Sequence, residues 1–189
     1  MTGRQDGRPD RAVALTGWGR IAPSTARIAQ PGTAADAAGL LRPGNDAGAT
    51  AGVIPRGLGR SYNNAAQSAD GMVVSTARLN RIISLDPKTG VAVCEAGTSL
   101  EQLMIAGLPH GWFVPVSPGT RQVTLGGAIA ADVHGKNHHR DGSFSRHVRE
   151  LDLVLPTGEL RTVTPQTDPD LFWATAGGMG LTGLITRAV

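Results

Sequence analysis

SPGTRQVTLGGAIAADVHGKNHH, Ser117 to His139, is the stretch around which the rest of the chain is arranged. Pro118-Gly119-Thr120 forces a turn, and Gly126-Gly127 sets two residues without Cβ atoms side by side, so something approaches the backbone closely there. That something is a ligand, or else the pair is only a tight turn into a buried helix. Ala128-Ile129-Ala130-Ala131 is too small a run to fill a core and suits a planar group lying flat against it. Polar chemistry arrives directly afterwards, in Asp132, His134, Lys136, Asn137, His138 and His139. His134 and His138 stand at helical spacing and, with His139, would ligate zinc on a helix. Gly135 interrupts that helix and no Glu or Cys stands at ligand spacing, so no metal is expected.

The same theme occurs upstream. Val53-Ile54-Pro55 reads as the end of a strand, and Arg56-Gly57-Leu58-Gly59-Arg60-Ser61-Tyr62-Asn63-Asn64 follows as a loop rich in backbone donors. Its two glycines permit the dihedrals of a nest whose N–H groups converge on an anion, and arginines on either side bind phosphate. Such a loop is a pyrophosphate cradle; its plainer reading is a hairpin turn with solvated arginines. It is neither a GxGxxG fingerprint, lacking the third glycine, nor a Walker loop, lacking GK[ST]. A third glycine loop, Gly177 to Gly183, completes the set, and together they point to one extended ligand held at several places.

Composition narrows the classes. A length of 189 residues suits one domain with room for two small lobes. Hydrophobic residues at 40% and charged residues at 17% are those of a globular protein. Aromatic residues at 4% argue against a nucleic-acid surface of stacked rings, so no nucleic acid is expected. The net charge of +3 is carried almost wholly by arginine and forms no basic stripe, which suits an anionic cofactor or substrate better than a polyanion. Cys94 stands alone, so there is no internal disulfide. No apolar run reaches the length of a membrane span and the N-terminus lacks the apolar core of a secretory signal. A cytoplasmic location, or a peripheral one at the cell envelope, is therefore expected.

In chain order, residues 1–12 are expected to be disordered, with order beginning near Leu15 and Trp18 acting as an anchor between glycines. A strand at Ile28-Pro31, a helix from Ala34 to Leu41 capped by Thr33 and ended by Arg42-Pro43-Gly44-Asn45, and a strand at Gly52-Pro55 give β-α-β order and parallel pairing. Strands follow at Gly71-Thr76, Ile82-Leu85 and Val91-Ala96, then a helix at Leu100-Ala106 capped by Thr98-Ser99. Val148-Leu155 and Leu160-Thr164 read as a hairpin, Asp168 as the cap of a helix to Thr175, and Leu184-Val189 as a strand. A chain stopping in an edge strand implies that the polypeptide continues past Val189.

These blocks together resemble the FAD-binding domain of the vanillyl-alcohol-oxidase flavoprotein family, the PCMH type. The residues that carry the likeness are Leu15-Thr16-Gly17-Trp18-Gly19-Arg20, Arg56 to Tyr62, Pro118 to Thr124, Gly126 to Ala130 with Asp132 and His134 to His139, and Leu171 to Thr175 with Gly180 to Gly183. The fold it implies is α+β: a small βαβ lobe over about residues 15–76, then a larger, mainly antiparallel sheet lobe with helices over about residues 82–189. The cofactor it implies is FAD. Pro55, Arg56, Gly57, Leu58, Gly59, Arg60, Ser61, Tyr62, Asn63, Asn64 and Ala65 would wrap its pyrophosphate. Gly119, Thr120, Thr124, Leu125, Gly126 and Gly127, with Ala131, Asp132, Val133 and His134, would line its ring and ribityl parts, and Gly183 and Ile185 its adenine side.

His134, Lys136 and Tyr62 match positions that face the substrate side of the flavin. Within the family the likeness is to oxidases of a polyprenylphosphoryl ribose, which implies oxidation of its 2′-hydroxyl to a 2′-keto sugar for cell-wall arabinan. A keto-reductase partner subunit would complete the epimerisation. The alternatives left open are an FAD-binding module without activity of its own, and an oxidase of another sugar alcohol or an aldonolactone. Many relatives attach FAD to a histidine just after the arginine-glycine loop; Tyr62-Asn63-Asn64 stand there, so non-covalent FAD is expected. Asn63 and Asn64 replace a Gly-Asp pair, and Asn tolerates left-handed backbone. The family's C-terminal substrate domain has no counterpart in this chain. That makes the chain a fragment, the partner of a separately encoded domain, or a degraded relative.

Overall fold

A computed structural model describes residues 12–42 and 51–189. Of the expected disordered tail only Ala12 is described, and it opens a strand; the rest of the tail, and the Pro43-Asn45 helix break, lie outside the described residues.

The first sheet contains β1 (Ala12–Leu15), β2 (Ser24–Ala29), β3 (Val53–Arg56) and β4 (Met72–Ser75) in the order β1-β2-β4-β3. β1 runs antiparallel to β2, while β2 and β3 both run parallel to β4. The expected parallel strands are present, with β4 inserted between them. That insertion is what a buried Met-Val-Val run favours, since only a central strand hides both of its faces. Between β2 and β3 lies α1 (Ala34–Leu41), whose Thr33 cap accepts the Asp36 N–H at 3.1 Å.

The second sheet has β5 (Ile82–Leu85), β6 (Ala92–Glu95), β7 (Leu151–Val154), β8 (Leu160–Val163) and β9 (Leu184–Ala188) in the order β5-β6-β9-β7-β8, every neighbour antiparallel. β9 is thus a central strand, not the edge expected of it. α2 (Leu100–Gly107) begins with a reciprocal cap in which Ser99 and Gln102 each satisfy the other's backbone. α3 (Leu125–Ala130) and the one-turn α4 (His138–Asp141) precede β7. α5 (Pro169–Thr175) follows β8; Pro169 sets its first turn, but the Asp168 side chain caps nothing and instead faces Arg161 at 3.8 Å.

Phe172 of α5, Ile129 of α3 and Leu151 and Leu153 of β7 are fully buried together, so helices and sheet share one core. Ala128 and Ile129 sit inside it, which corrects the expectation that this run is too small for a core: close approach of α3 makes small residues fit. Val154 and Leu184 of the second sheet pack with Ala29, Met72 and Val74 of the first and with α1, joining the two lobes.

Cys94 is buried in this core, and burial pushes its thiol up to about 11. Near neutral pH a thiol reagent is predicted to modify the native protein far more slowly than the urea-unfolded chain; immediate reaction of the native form would contradict the packing. Phe172→Ala is predicted to cost about 3–5 kcal/mol in urea denaturation, because it empties the centre of the shared core.

Candidate functional site

The seam between the lobes is a cleft. Its walls come from the loop after β3, from α3, and from the loop between α5 and β9. Gly59, Gly126 and Ile185, from three separate segments, all border it.

The loop after β3 borders the cleft, and several of its carbonyls are held by the rest of the chain. Trp18 donates its N–H to Ser61 O at 2.7 Å, and Gly19 donates to Tyr62 O at 3.2 Å. Arg60 donates to Leu58 O at 3.0 Å, Arg56 to Ala66 O at 3.0 Å, and Thr76 N–H to Arg56 O at 2.9 Å. Among the described residues, no protein acceptor takes the N–H groups of Gly57, Leu58, Gly59, Arg60 or Ser61. Five consecutive free donors, with the Leu58 and Ser61 carbonyls among them tied to the rest of the chain, can serve as an anion cradle. Gly59 has φ of 65°, and the Arg56 guanidinium lies where its Cβ would be.

Arg56 and Arg60 also line the cleft, and their guanidinium groups bond to the chain. Arg56 spans the loop, donating also to Thr16 O at 2.7 Å, and burial lowers its pKa. Arg60 lies over the Trp18 ring at 4.7 Å. Trp18 is therefore an anchor for the loop, although its own ring is more than half exposed. Asn63 and Asn64 do not adopt left-handed backbone; instead the Asn63 side chain accepts the Ala65 N–H at 3.1 Å.

The opposite wall explains the glycine pair. Thr124 caps α3 by accepting Gly127 N–H at 3.1 Å, while Leu125 and Gly126 donate to Thr98 O and Ala96 O, both at 2.7 Å. With its first amides spent on the chain itself, α3 is not the anion site. A Cβ on Gly126 would stand 2.9 Å from Ala96 Cβ, so the close neighbour there is the protein's own strand. Gly127 is exposed, although a Cβ there would stand 2.9 Å from Thr124 Oγ1, and Ala130 and Ala131 continue a smooth wall. Gly57 meets Thr124 across the seam, where a Cβ would overlap Thr124 Oγ1.

Of the other expected cofactor residues, Pro55, Leu58, Ser61, Ala65, Thr124, Val133 and Gly183 border the cleft, whereas Tyr62, Asn63, Asn64, Gly119, Thr120, Leu125, Asp132 and His134 do not. Leu125 is turned into the core, and the Asp132 carboxylate accepts Ser145 N–H at 3.0 Å. Tyr62 is 76% exposed, and His134 and Lys136 lie exposed just past Val133. The His134 ring meets that of His138 edge-on at 5.4 Å. Among the described residues no three His, Cys, Asp or Glu side chains converge on a metal position, so zinc chemistry at His134, His138 and His139 has no geometric support.

Sequence reasoning missed Thr76 and Thr175 on the cleft wall, and within the third glycine loop it singled out Gly183 but not Met179 and Gly180. The signal lay in the third glycine loop: Met179 takes a positive φ of 52° and donates to Ala130 O at 2.8 Å, and a Cβ on Gly180 would stand 2.8 Å from Pro55 Cγ.

A slot with backbone donors at one place and smooth small-residue walls at another fits a long ligand with an anionic middle and a flat end, as the FAD expected from the sequence has. Gly57→Ala is predicted to displace Thr124 and remove the α3 cap, worth about 1 kcal/mol, and to weaken FAD binding roughly tenfold or more by fluorescence titration. Unchanged affinity would refute the seam contact. Arg56→Lys, which lacks the fork that reaches Thr16 O and Ala66 O together, is predicted to bind FAD more weakly despite keeping the charge.

Comparison with known proteins agrees with this geometry. A family model described as FAD binding domain matches residues 25–164. The chain is 52% identical over 184 residues to the decaprenylphosphoryl-beta-D-ribose oxidase of Mycolicibacterium smegmatis, covering 95% of this chain and 39% of that protein. It is 35% identical to cytokinin dehydrogenase 2 of Oryza sativa subsp. japonica, covering 94% and 32%. With the D-lactate dehydrogenase of Archaeoglobus fulgidus it shares 28% identity, covering 89% and 39%. The chain thus spans less than two fifths of the length of these relatives. The chain belongs to the FAD binding domain family, and FAD is its cofactor.

Proposed function

We propose that this chain is the FAD-binding part of an oxidase that converts the 2′-hydroxyl of a polyprenylphosphoryl ribose to the 2′-ketone. The observation that carries the reading is the 52% identity, sustained over 95% of the chain, with the decaprenylphosphoryl-beta-D-ribose oxidase. When bound, FAD supplies the two-electron oxidant, and the polypeptide supplies grip, orientation and shape.

The free amides of Gly57 to Ser61 bind the diphosphate, each gaining a charge-assisted hydrogen bond that water would otherwise supply. Gly127, Ala130 and Ala131 leave room for the ring to lie against α3. His134 and Lys136, just past the rim residue Val133, are assigned to the substrate side, with the Lys136 cation available to a phosphate or to developing negative charge. Tyr62 stands at the exposed end of the cradle loop, and its assignment to the substrate side rests on the resemblance alone. FAD is held without a covalent bond, because Tyr62, Asn63 and Asn64 occupy the place where many relatives carry the attaching histidine.

A keto-reductase subunit would consume the product, and a further polypeptide would close the substrate pocket. Among the described residues no helix is long and apolar enough to cross a membrane; a lipid-linked substrate would bring the chain to a membrane surface peripherally. The span of 39% favours one second reading, a module that binds FAD without turning over alcohol by itself.

Purified protein is predicted to show oxidised-flavin absorbance, and acid precipitation to release all of the flavin as FAD into the supernatant. Flavin retained in the pellet would contradict non-covalent binding. Adding a polyprenylphosphoryl ribose without oxygen is predicted to bleach the absorbance. Persistent colour at saturating substrate would remove the oxidase reading for this chain and leave the silent module.

A further inference from the structure

Gln67 stands three residues beyond Asn64, the end of the cradle loop, and lines no part of the cofactor cleft. Its backbone N–H donates to Asn64 O at 3.1 Å, which ties it to that loop. Its side-chain amide reaches the connection between β1 and β2. The N–H groups of Nε2 are set among Ser24 Oγ at 2.9 Å, Ala22 O at 3.0 Å and, at a longer 3.3 Å, Leu15 O. Leu15 and Ser24 are the facing residues that end the ladder between β1 and β2, so one side chain closes the neck of the connection from both legs.

That connection carries backbone that side-chain-bearing residues resist. Arg20 and Ala22 have φ of 55° and 47°, in the left-handed region, and neither is glycine. Such a conformation persists only where its surroundings over-determine it, and Gln67 donates to the carbonyl of Ala22 itself. The same connection supplies the Trp18 and Gly19 N–H groups that hold Ser61 O and Tyr62 O. It lies against the cradle loop without slack: a Cβ on Gly17 would overlap Asn63 O, and one on Gly19 would stand 2.5 Å from Tyr62 O. The other atom of the Gln67 amide, Oε1, is buried with no hydrogen-bond partner among the described residues. An unpaired buried acceptor is costly, so an apolar side chain would fill this space better; what the amide contributes is its donors.

We propose that Gln67 is a positioning residue for the cofactor: by pinning the connection between β1 and β2, it sets the cradle loop in its binding shape before the anion arrives. The inference rests on the reading that the Gly57 to Ser61 amides take the diphosphate, and it is independent of which alcohol is oxidised. Gln67 touches no ligand and acts through Trp18 and Gly19. Without its donors the connection relaxes toward ordinary backbone at Arg20 and Ala22, and Trp18 and Gly19 lose their hold on the cradle carbonyls. The cradle must then be ordered at the moment of binding, at the expense of affinity. That cost is the same for any ligand that brings the diphosphate, so ADP and FAD lose equally.

The test is titration of the apoprotein with FAD by fluorescence and with ADP by calorimetry. Gln67→Met, similar in size but without a donor, is expected to weaken both ligands by the same factor, about tenfold. It is also expected to speed hydrogen exchange of the Trp18 and Gly19 amides. A double-mutant cycle separates this from a general loss of stability. Gly19→Ala disturbs the bond to Tyr62 O by itself, so in that background Gln67→Met is expected to add less than about twofold, whereas a residue acting elsewhere would exert its full effect again. If the methionine variant does not fold, Ser24→Ala, which removes one acceptor and leaves Gln67 in place, decides the matter. It is expected to weaken ADP and FAD equally, by about twofold or more, and to lose that effect beside Gly19→Ala. The inference alone is overturned if the wild type binds ADP and the folded variant binds it equally well, if FAD weakens and ADP does not, or if the effects at positions 67 and 19 simply add. Wild-type protein that binds FAD but not ADP would overturn the diphosphate reading, and the inference with it.

Discussion

Two backbone hydrogen bonds, from Trp18 N–H to Ser61 O and from Gly19 N–H to Tyr62 O, hold the far end of the loop after β3 in place. A peptide unit that gives its carbonyl to one side presents its amide to the other, so the bonds taken by Arg56 O and Leu58 O set the direction of the Gly57 and Gly59 N–H groups. Gly17 and Gly19 make the hold on the far end possible, since a Cβ at Gly19 would meet Tyr62 O at 2.5 Å. Arg56 and Arg60 reinforce it with hydrogen bonds to carbonyls and contact with the Trp18 ring. Binding of an anion then uses donors already in place, and the ordering cost is met when the chain folds.

The rest of the fold brings the other wall to that loop. Val154 and Leu184 carry the second sheet into the core of the first, and Gly57 lets the cradle loop reach Thr124 at the start of α3. One threonine thus caps the helix beneath the flat part of the site and touches the loop that holds the anionic part. On the proposed reading, shape at one end of the cofactor and charge recognition at the other would be coupled through a contact that tolerates no added atom.

Much of this was legible in the chain. Alternating apolar runs bounded by Gly, Pro and Asp marked the strands, and Thr33 and Ser99 marked two helix starts, because those signals are local. The glycine loops identified the cleft, since a missing Cβ records close approach wherever it occurs. What the residues could not reveal was who approaches: Gly126 makes room for Ala96, whereas Gly127 makes room for the Thr124 hydroxyl that caps its own helix. Nor could residue type reveal direction. Arg56 and Arg60 read as phosphate ligands and do line the cleft, but residue type did not show that their guanidinium groups also bond to carbonyls, that of Arg56 to Thr16 O, forty residues away. The insertion of β4 between β2 and β3 and the central place of β9 are likewise long-range pairings, on which local pattern is silent.

The central claim is that backbone amides, not arginine side chains, hold the diphosphate. The most direct measurement is a titration of the 15N-labelled apoprotein with ADP, which carries the diphosphate without the ring, following each amide resonance. The account predicts that the Gly57, Leu58, Gly59, Arg60 and Ser61 amide protons shift downfield together as hydrogen bonds form, with little movement of the Arg56 side-chain signals. Static resonances in that loop, with the largest shifts at the Arg56 and Arg60 guanidinium groups or at the first amides of α3, would contradict it.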